Sequence, residues 1–219
     1  MPLRFIADGV WQLTGYPPYA VNCYLVGDVL IDAATRWARR RILCDLRHRV
    51  IRMVALTHCH PDHQGLAKLI CEQRKIPLAC HEADTPAMEG RIPMQPDNGI
   101  IRFGNHIWSG PPHPVARVLR QDDEVADFRV IHAPGHTPGH IIYFRDSDRL
   151  AIAGDLLCNF HPLKMEAELT EPLWFFSADP AENRRSIMKL AKLNPRTVCF
   201  GHGPPLRDAR KLQAYVASW

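Results

Sequence analysis

The sequence predicts an α/β domain built from two halves of similar plan, on three observations. Short apolar runs of strand length alternate with stretches whose apolar residues recur at helical spacing. Several of those runs lead directly into polar, metal-ligating residue types set in tight or glycine-rich turns, in the first half and again in the second. The third observation is size: 219 residues with 46% hydrophobic content suffice for one substantial core and are few for two. A single domain over residues 1–219 is expected.

Arg4 to Leu13 alternates loosely enough for one or two short strands, interrupted at Asp8-Gly9. Asn22 to Val26 and Val29 to Ile31 flank Gly27-Asp28, a two-residue link that matches a tight hairpin turn, and Asp32 closes the second strand. From Thr35 to about His48, Ala38, Ile42, Leu43 and Leu46 keep one helical face and arginines occupy the other, as on a surface helix over a sheet. Val50 to Leu56 reads as a buried strand, Leu66, Leu69 and Ile70 mark a helix that ends before Pro77, and Leu78 to Cys80 is a further strand. Residues 84–115 interleave prolines with glycines, so little regular structure is expected there; such a segment is a lid, a binding loop or a plain surface excursion.

Strands return at Phe128 to His132, Ile141 to Phe144 and Leu150 to Ala153, with Asp146-Ser147-Asp148 turning between the last two. Cys158 to Ser177 is again irregular. Asp179-Pro180-Ala181-Glu182 reads as an N-cap, a proline at the first helical position and a reciprocal glutamate, opening a helix through about Leu193. A strand at Thr197 to Phe200 follows. After Gly201-His202-Gly203, Asp208 caps a last helix whose Leu212, Tyr215, Val216 and Trp219 share a face.

The 27 basic and 23 acidic residues leave a formal charge of +4, scattered along helices and loops, which argues against nucleic acid as a partner. No charged segment followed by an apolar leader opens the chain, and no apolar stretch approaches the roughly 20 residues that span a bilayer. A soluble, cytoplasmic protein with a small-molecule substrate and no membrane partner is expected; oligomeric state is left open, with a homodimer as the candidate. Cys23, Cys44, Cys59, Cys71, Cys80, Cys158 and Cys199 lack the close pairing of a thiolate zinc site or a disulfide framework, and most are expected to act as small buried hydrophobes.

The densest chemistry lies in Thr57-His58-Cys59-His60-Pro61-Asp62-His63, three imidazoles and a carboxylate directly after an apolar run. Neutral imidazole and carboxylate suit Zn, Fe and Mn, and a segment leaving a strand end aims alternate side chains at one point. His58 and His60 would face together, while Asp62 and His63, carried onto a helix, point to a second ion beside the first. Three later turns repeat the logic: His136 and His140 in Ala133-Pro134-Gly135-His136-Thr137-Pro138-Gly139-His140, Asp155 in Ala153-Gly154-Asp155, and His202 in Phe200-Gly201-His202-Gly203. Counting His136, Asp155 and His202 completes two three-ligand sites with an oxygen able to bridge them, leaving positions open for water and substrate.

The ordered set His-x-His-x-Asp-His, Pro-Gly-His-Thr-x-Gly-His, Gly-Asp and Gly-His-Gly resembles the metallo-β-lactamase superfamily, and within it the glyoxalase II-like hydrolases. The resemblance runs from the Asn22-Cys23-Tyr24-Leu25 hairpin to His202. It implies a four-layer αββα sandwich with the site at one edge between two sheets. It also implies that His58, His60 and His136 hold one metal ion, that Asp62, His63 and His202 hold a second, and that Asp155 bridges them. Two divalent ions are the implied cofactors, Zn2+ first, with Fe or Mn as alternatives. Asp32 resembles the family's aspartate that fixes a ligand histidine, though a strand-end turn residue explains it nearly as well. His140 is expected to support the site without ligating.

The reaction expected from this resemblance is hydrolysis of an ester-like bond, a thioester in the first instance, by a metal-bridging hydroxide, with Asp62 both ligating and orienting the nucleophile. Glutathione-binding relatives use a helical C-terminal extension, whereas 17 residues follow His202 here. Substrate contacts would then come from residues 84–115, from Cys158 to Phe176 and from the Tyr16–Tyr19 turn. Tyr19, His161, Trp174 and Phe175 are candidates for an apolar pocket wall, and equally for anchors of those loops to the core. The alternatives are a lactonase and a persulfide dioxygenase with a single iron; nucleases and exported β-lactamases fit less well.

Overall fold

A computed structural model describes residues 3–161 and 166–219, the side chain of His161 excepted. Among the described residues, seven strands of the first half lie side by side in chain order: Arg4–Ala7 (β1), Val10–Thr14 (β2), Asn22–Val26 (β3), Val29–Ile31 (β4), Met53–Ala55 (β5), Leu78–His81 (β6) and Arg117–Leu119 (β7). The first four are joined by antiparallel pairing, with Val26 opposite Val29 across the Gly27-Asp28 turn. From β4 onward the pairs are parallel. Parallel neighbours require crossovers: Arg39–Asp45 (α1), Pro61–Gln64 (α2), Ala67–Arg74 (α3), Thr85–Met88 (α4) and Gly99–Trp108 (α5) supply them.

In the second half come Glu124–Val125 (β8), Phe128–His132 (β9), Ile141–Arg145 (β10) and Leu150–Ile152 (β11). A ribbon of Cys158–His161 (β12) and Glu166–Thr170 (β13) follows, then Pro180–Lys192 (α6), Thr197–Cys199 (β14) and Ala209–Ala217 (α7). The second sheet has the order β14-β11-β10-β9-β8, with β14 parallel to β11 across the α6 crossover.

Strand alternation sorts the apolar side chains into three clusters. Leu30, Val54 and Leu78 face outward to Ile42, Leu46 and Ile70 on the helices over the first sheet. Their neighbours Ile31, Ala55 and Ala79 face inward to Val130, Tyr143 and Ile152 of the second sheet. On that sheet's far side Ile131, Ile142 and Ala151 meet Ile187 and Leu190 of α6 and Leu212 of α7. Helix, sheet, sheet and helix are therefore four layers, each fully buried Leu or Ile contributing roughly 1.5–3 kcal/mol.

Besides β7 and β8, strands where none was expected, the structure departs from the sequence expectation in three places. Residues 84–115 hold more regular structure than expected: α4 and α5 lie within them, α5 started by Asn98, whose side chain accepts the Ile100 and Ile101 N–H groups at 3.0 Å each. The prolines flank this helix, and at Gly104 a Cβ would lie 3.3 Å from the ring of Trp108, one turn on in the same helix. Cys158 to Ser177 contains the β12–β13 ribbon, paired from Cys158 opposite Thr170 to His161 opposite Glu166. Asp179 does cap α6, accepting the Glu182 N–H at 2.9 Å, but the reciprocal bond is not made: the Asp179 N–H goes to the Gly135 carbonyl and the Glu182 carboxylate to Arg185. All seven cysteines are free, and no described helix is long and apolar enough to cross a membrane.

Candidate metal centre

The polar turns gather at the edge of the sandwich where β5, β9, β11 and β14 end. The two sheets are joined there, the Ile141 N–H donating to the Thr57 carbonyl at 2.9 Å and the Tyr143 hydroxyl to the Leu56 carbonyl at 2.8 Å. On the first sheet, Asn22 of β3 donates from its side chain to the Phe200 and Gly203 carbonyls, at 3.0 and 2.9 Å, and so holds the turn that carries His202. Gly201 has no room for a side chain, because a Cβ would strike the Asp155 carboxylate and the His63 ring.

Seven side chains converge in two groups, His58, His60 and His136 in one and Asp62, His63, Asp155 and His202 in the other, the donor atoms within each lying within 4.8 Å of one another. Asp155 stands between them: its Oδ2 is 3.3 Å from His63 Nε2, 3.0 Å from His202 Nε2 and 3.9 Å from His136 Nε2. The first group is sealed, none of its histidines more than 4% exposed, whereas the Asp62 and His202 side chains are 24% and 26% exposed and form the open side.

A bond on the far nitrogen orients each imidazole. His60 Nε2 donates to the Gln95 carbonyl at 2.7 Å, which leaves Nδ1 for the centre. His202 Nδ1 is bonded to the Ala20 carbonyl, His63 Nδ1 to Asp32 at 2.9 Å, His58 Nδ1 to the Thr57 hydroxyl at 3.1 Å and His136 Nδ1 to the Ser177 hydroxyl at 3.3 Å, so that each presents Nε2. This is the arrangement by which outer groups fix the tautomer of a ligating histidine.

The donor set fits divalent metal ions. His58 Nε2, His63 Nε2, His136 Nε2 and Asp155 Oδ1 are buried and make no hydrogen bond among the described residues, a state that costs about 1–3 kcal/mol per group when nothing compensates it. Burial, and then the neighbouring imidazoles, hold His58 and His136 well below the ordinary histidine range, so both are neutral, the form that ligates. Burial acts the same way on His63 and His202, but the carboxylates around them outweigh it and raise both rings' proton affinity. A field that strong in favour of a cation serves a metal as well as a proton.

Among the remaining residues singled out in the sequence, Asp32 is 1% exposed and takes the Thr57 N–H and hydroxyl, each at 2.8 Å, besides His63. His140 supports the site through its Nε2, which accepts the Asp155 N–H at 3.2 Å. The Tyr19 ring lies against the Arg4 guanidinium, which donates to its hydroxyl, and its carbonyl accepts the N–H of Gly203, the neighbour of His202, at 2.9 Å. Trp174, 75% exposed, and Phe175 form a turn whose Phe175 carbonyl accepts from Asn98 at 2.7 Å. The His161 side chain lies outside the described residues.

Two features escaped the sequence. Asp84, 2% exposed, accepts the Cys59 N–H at 3.0 Å, the Thr137 hydroxyl at 2.8 Å and the Gly139 N–H at 2.7 Å, tying the His58–His60 turn to the His136 turn. A cleft of about 530 Å³ reaches Asp62, with Tyr16, Trp37, Arg41 and Trp108 in its walls; Tyr19, Trp174 and Phe175 stand outside it. A tryptophan among the arginines of a surface helix was the available signal.

Residues 16–202 match the family model of the metallo-beta-lactamase superfamily. The chain is 32% identical over 202 residues to the Bacillus subtilis protein named "Probable metallo-hydrolase YflN", covering 81% of this chain and 76% of that one. It is 31% identical over 151 residues to hydroxyacylglutathione hydrolase GloC of Haemophilus influenzae, covering 62% of this chain and 66% of that one. Among solved structures, the protein TTHA1623 in a di-iron-bound form superposes with a TM-score of 0.73 at 28% identity, covering 94% of this chain and 97% of that one.

Proposed function

The chain belongs to the metallo-beta-lactamase superfamily, and on that premise we propose that it is a two-metal hydrolase of an ester-like bond, with a thioester as substrate. The observation that carries this reading is the pair of donor groups meeting at Asp155, with four buried atoms left without hydrogen bonds.

We assign one divalent ion to His58, His60 and His136, a second to Asp62, His63 and His202, and Asp155 to both. Imidazole and carboxylate suit zinc, the proposed metal; iron is the alternative, because a protein 28% identical was solved in a di-iron-bound form. When bound, two divalent ions bring the pKa of water toward about 7 and polarise a substrate carbonyl.

Asp62 lies on the open side, and its carboxyl is held below the usual range: burial opposes this, but His63 and His202 outweigh it. It stays ionised and can accept the O–H of an incoming water, orienting the oxygen toward the acyl carbon. Hydrolysis adds that oxygen to the acyl carbon and releases the thiol, which takes up a proton. The sealed walls around His58 and His136 exclude other water. The thioester is preferred over a lactone because of the likeness to the hydroxyacylglutathione hydrolase. The free cysteines fit a reducing compartment, and a cytoplasmic location is part of the proposal.

Metal analysis and assay of one sample against matched thioesters, lactones and a persulfide test it. Two zinc ions per chain with thioester turnover are expected. A single iron with oxygen uptake on the persulfide would overturn the reaction class, and a preference for lactones would overturn the substrate.

A further inference from the structure

The cleft that reaches Asp62 carries chemistry that neither the metal centre nor the core accounts for. Tyr16 is 83%, Trp37 69% and Trp108 44% exposed, in a chain that seals Tyr24, Tyr143, Phe128 and Phe144 completely. Exposed rings scattered singly need no explanation, but these three come from separate segments and line one cleft. Trp37 is also held in place. The Trp37 indole N–H donates to the Ile107 carbonyl at 2.8 Å, joining the turn before α1 to the end of α5, and the Arg36 guanidinium covers the ring at 5.0 Å.

Arg41 supplies the cation of this wall, fixed by a bond from Nη1 to the Thr14 carbonyl at 2.7 Å. Arg36, Arg39 and Arg40 share the same turn and helix and are exposed, so the α1 side of the mouth is positively charged. The same cleft is also lined by Asp62, where the donor groups begin. A guanidinium and flat apolar walls in a cleft that also meets the hydrolytic centre match a ligand with a reacting end and an anionic one.

We propose that this cleft binds the non-reacting end of the substrate, and that this end carries an anionic group, a carboxylate or a phosphate, on an apolar or aromatic body. The inference rests on the hydrolase reading of the neighbouring centre for the word substrate, but the binding it describes is measurable without turnover.

The metal-loaded full chain is titrated with 4-phenylbutanoate, phenyl phosphate and the uncharged 4-phenylbutanamide, followed by tryptophan fluorescence. At least one anion should bind about tenfold more tightly than the amide, and whichever does so names the headgroup. Arg41→Gln keeps a donor for Thr14 while removing the charge; it should erase that preference and leave amide binding unchanged, and Arg41→Lys should restore most of it. Equal binding of anions and amide, or an anion preference that survives in Arg41→Gln as metal-bound anion would, overturns the proposal. Should Arg41→Gln fail to fold, Trp108→Leu leaves the Thr14 bond intact and should weaken all three probes; no change there also overturns it.

Matched thioesters with and without a terminal carboxylate complete the test. Arg41→Gln should raise KM about tenfold for the charged one with kcat unchanged, and spare the neutral one. If no thioester is hydrolysed while the anion titration holds, the thioester reading fails and the cleft assignment stands. If thioesters are hydrolysed without any Arg41-dependent discrimination, the reverse is true.

Discussion

Asp32 Oδ2 lies 2.9 Å from His63 Nδ1, and the same carboxylate takes both the N–H and the hydroxyl of Thr57, whose hydroxyl in turn meets His58 Nδ1 at 3.1 Å. One buried acid at the end of β4 therefore orients a histidine in each donor group. Its backbone is in the left-handed region, at φ 60, a conformation aspartate tolerates better than most residues. Asp32→Asn should lower metal affinity by about 10–100-fold, as loss of an outer partner does elsewhere. Competition against a chelator measures this, and affinity within about threefold of wild type would place the orienting role elsewhere.

His58→Ala and Asp155→Ala each remove a donor from the centre, Asp155 one that faces both groups. Each variant should lose metal and turn over at least about a thousandfold more slowly. Either variant retaining two equivalents of metal and wild-type turnover would remove that residue from the centre.

Asp84 accepts three bonds from the turns that carry His58, His60 and His136. Asp84→Ala strands three buried donors and should lower the unfolding free energy by about 3 kcal/mol. It should also weaken metal binding, because the two turns lose their common anchor. Denaturant melts with and without metal read both effects; a variant as stable as wild type in each would show the anchor to be dispensable.

His81 and His132, the last residues of β6 and β9, stack with ring centroids 4.1 Å apart. Burial, followed by His132, pushes the His81 pKa down from about 6.5 to about 4. The folded state binds its proton less readily than the unfolded chain does, so stability present above about pH 6.5 is lost as the pH falls toward 4. His140, lowered to about 3 by burial, acts in the same direction. His81→Gln should therefore narrow, without abolishing, the stability difference between pH 7 and pH 4.5 in denaturant melts. An unchanged difference would show that the His81 proton affinity is the same in the folded and unfolded chain.

Much of the site was legible because its residues cluster in sequence. Four of the seven donors fall between His58 and His63, and the other three sit in glycine turns after strands, where convergence follows from the sheet itself. The fold was legible for the same reason, in that runs such as Leu30-Ile31 and Val54-Ala55 are buried on both faces and read as continuous apolar stretches. The residues around the centre were harder to see. Gln95 and Ser177 reach it by a backbone carbonyl and a hydroxyl, groups that leave no pattern in sequence. The α5 helix was hidden by prolines that bound it without entering it, and with it the cleft wall at Trp108. The aromatic residues expected from the loops, Tyr19, Trp174 and Phe175, do not line that cleft, since exposure and direction, unlike composition, depend on tertiary placement.

The proposed hydrolysis depends on metal held by these two donor groups. The most direct measurement removes metal stepwise from one preparation with a chelator, recording bound metal and thioester hydrolysis in each fraction. Activity should fall in step with bound metal from about two equivalents per chain and return when zinc is restored. Hydrolysis that persists at wild-type rate in metal-free protein would contradict it.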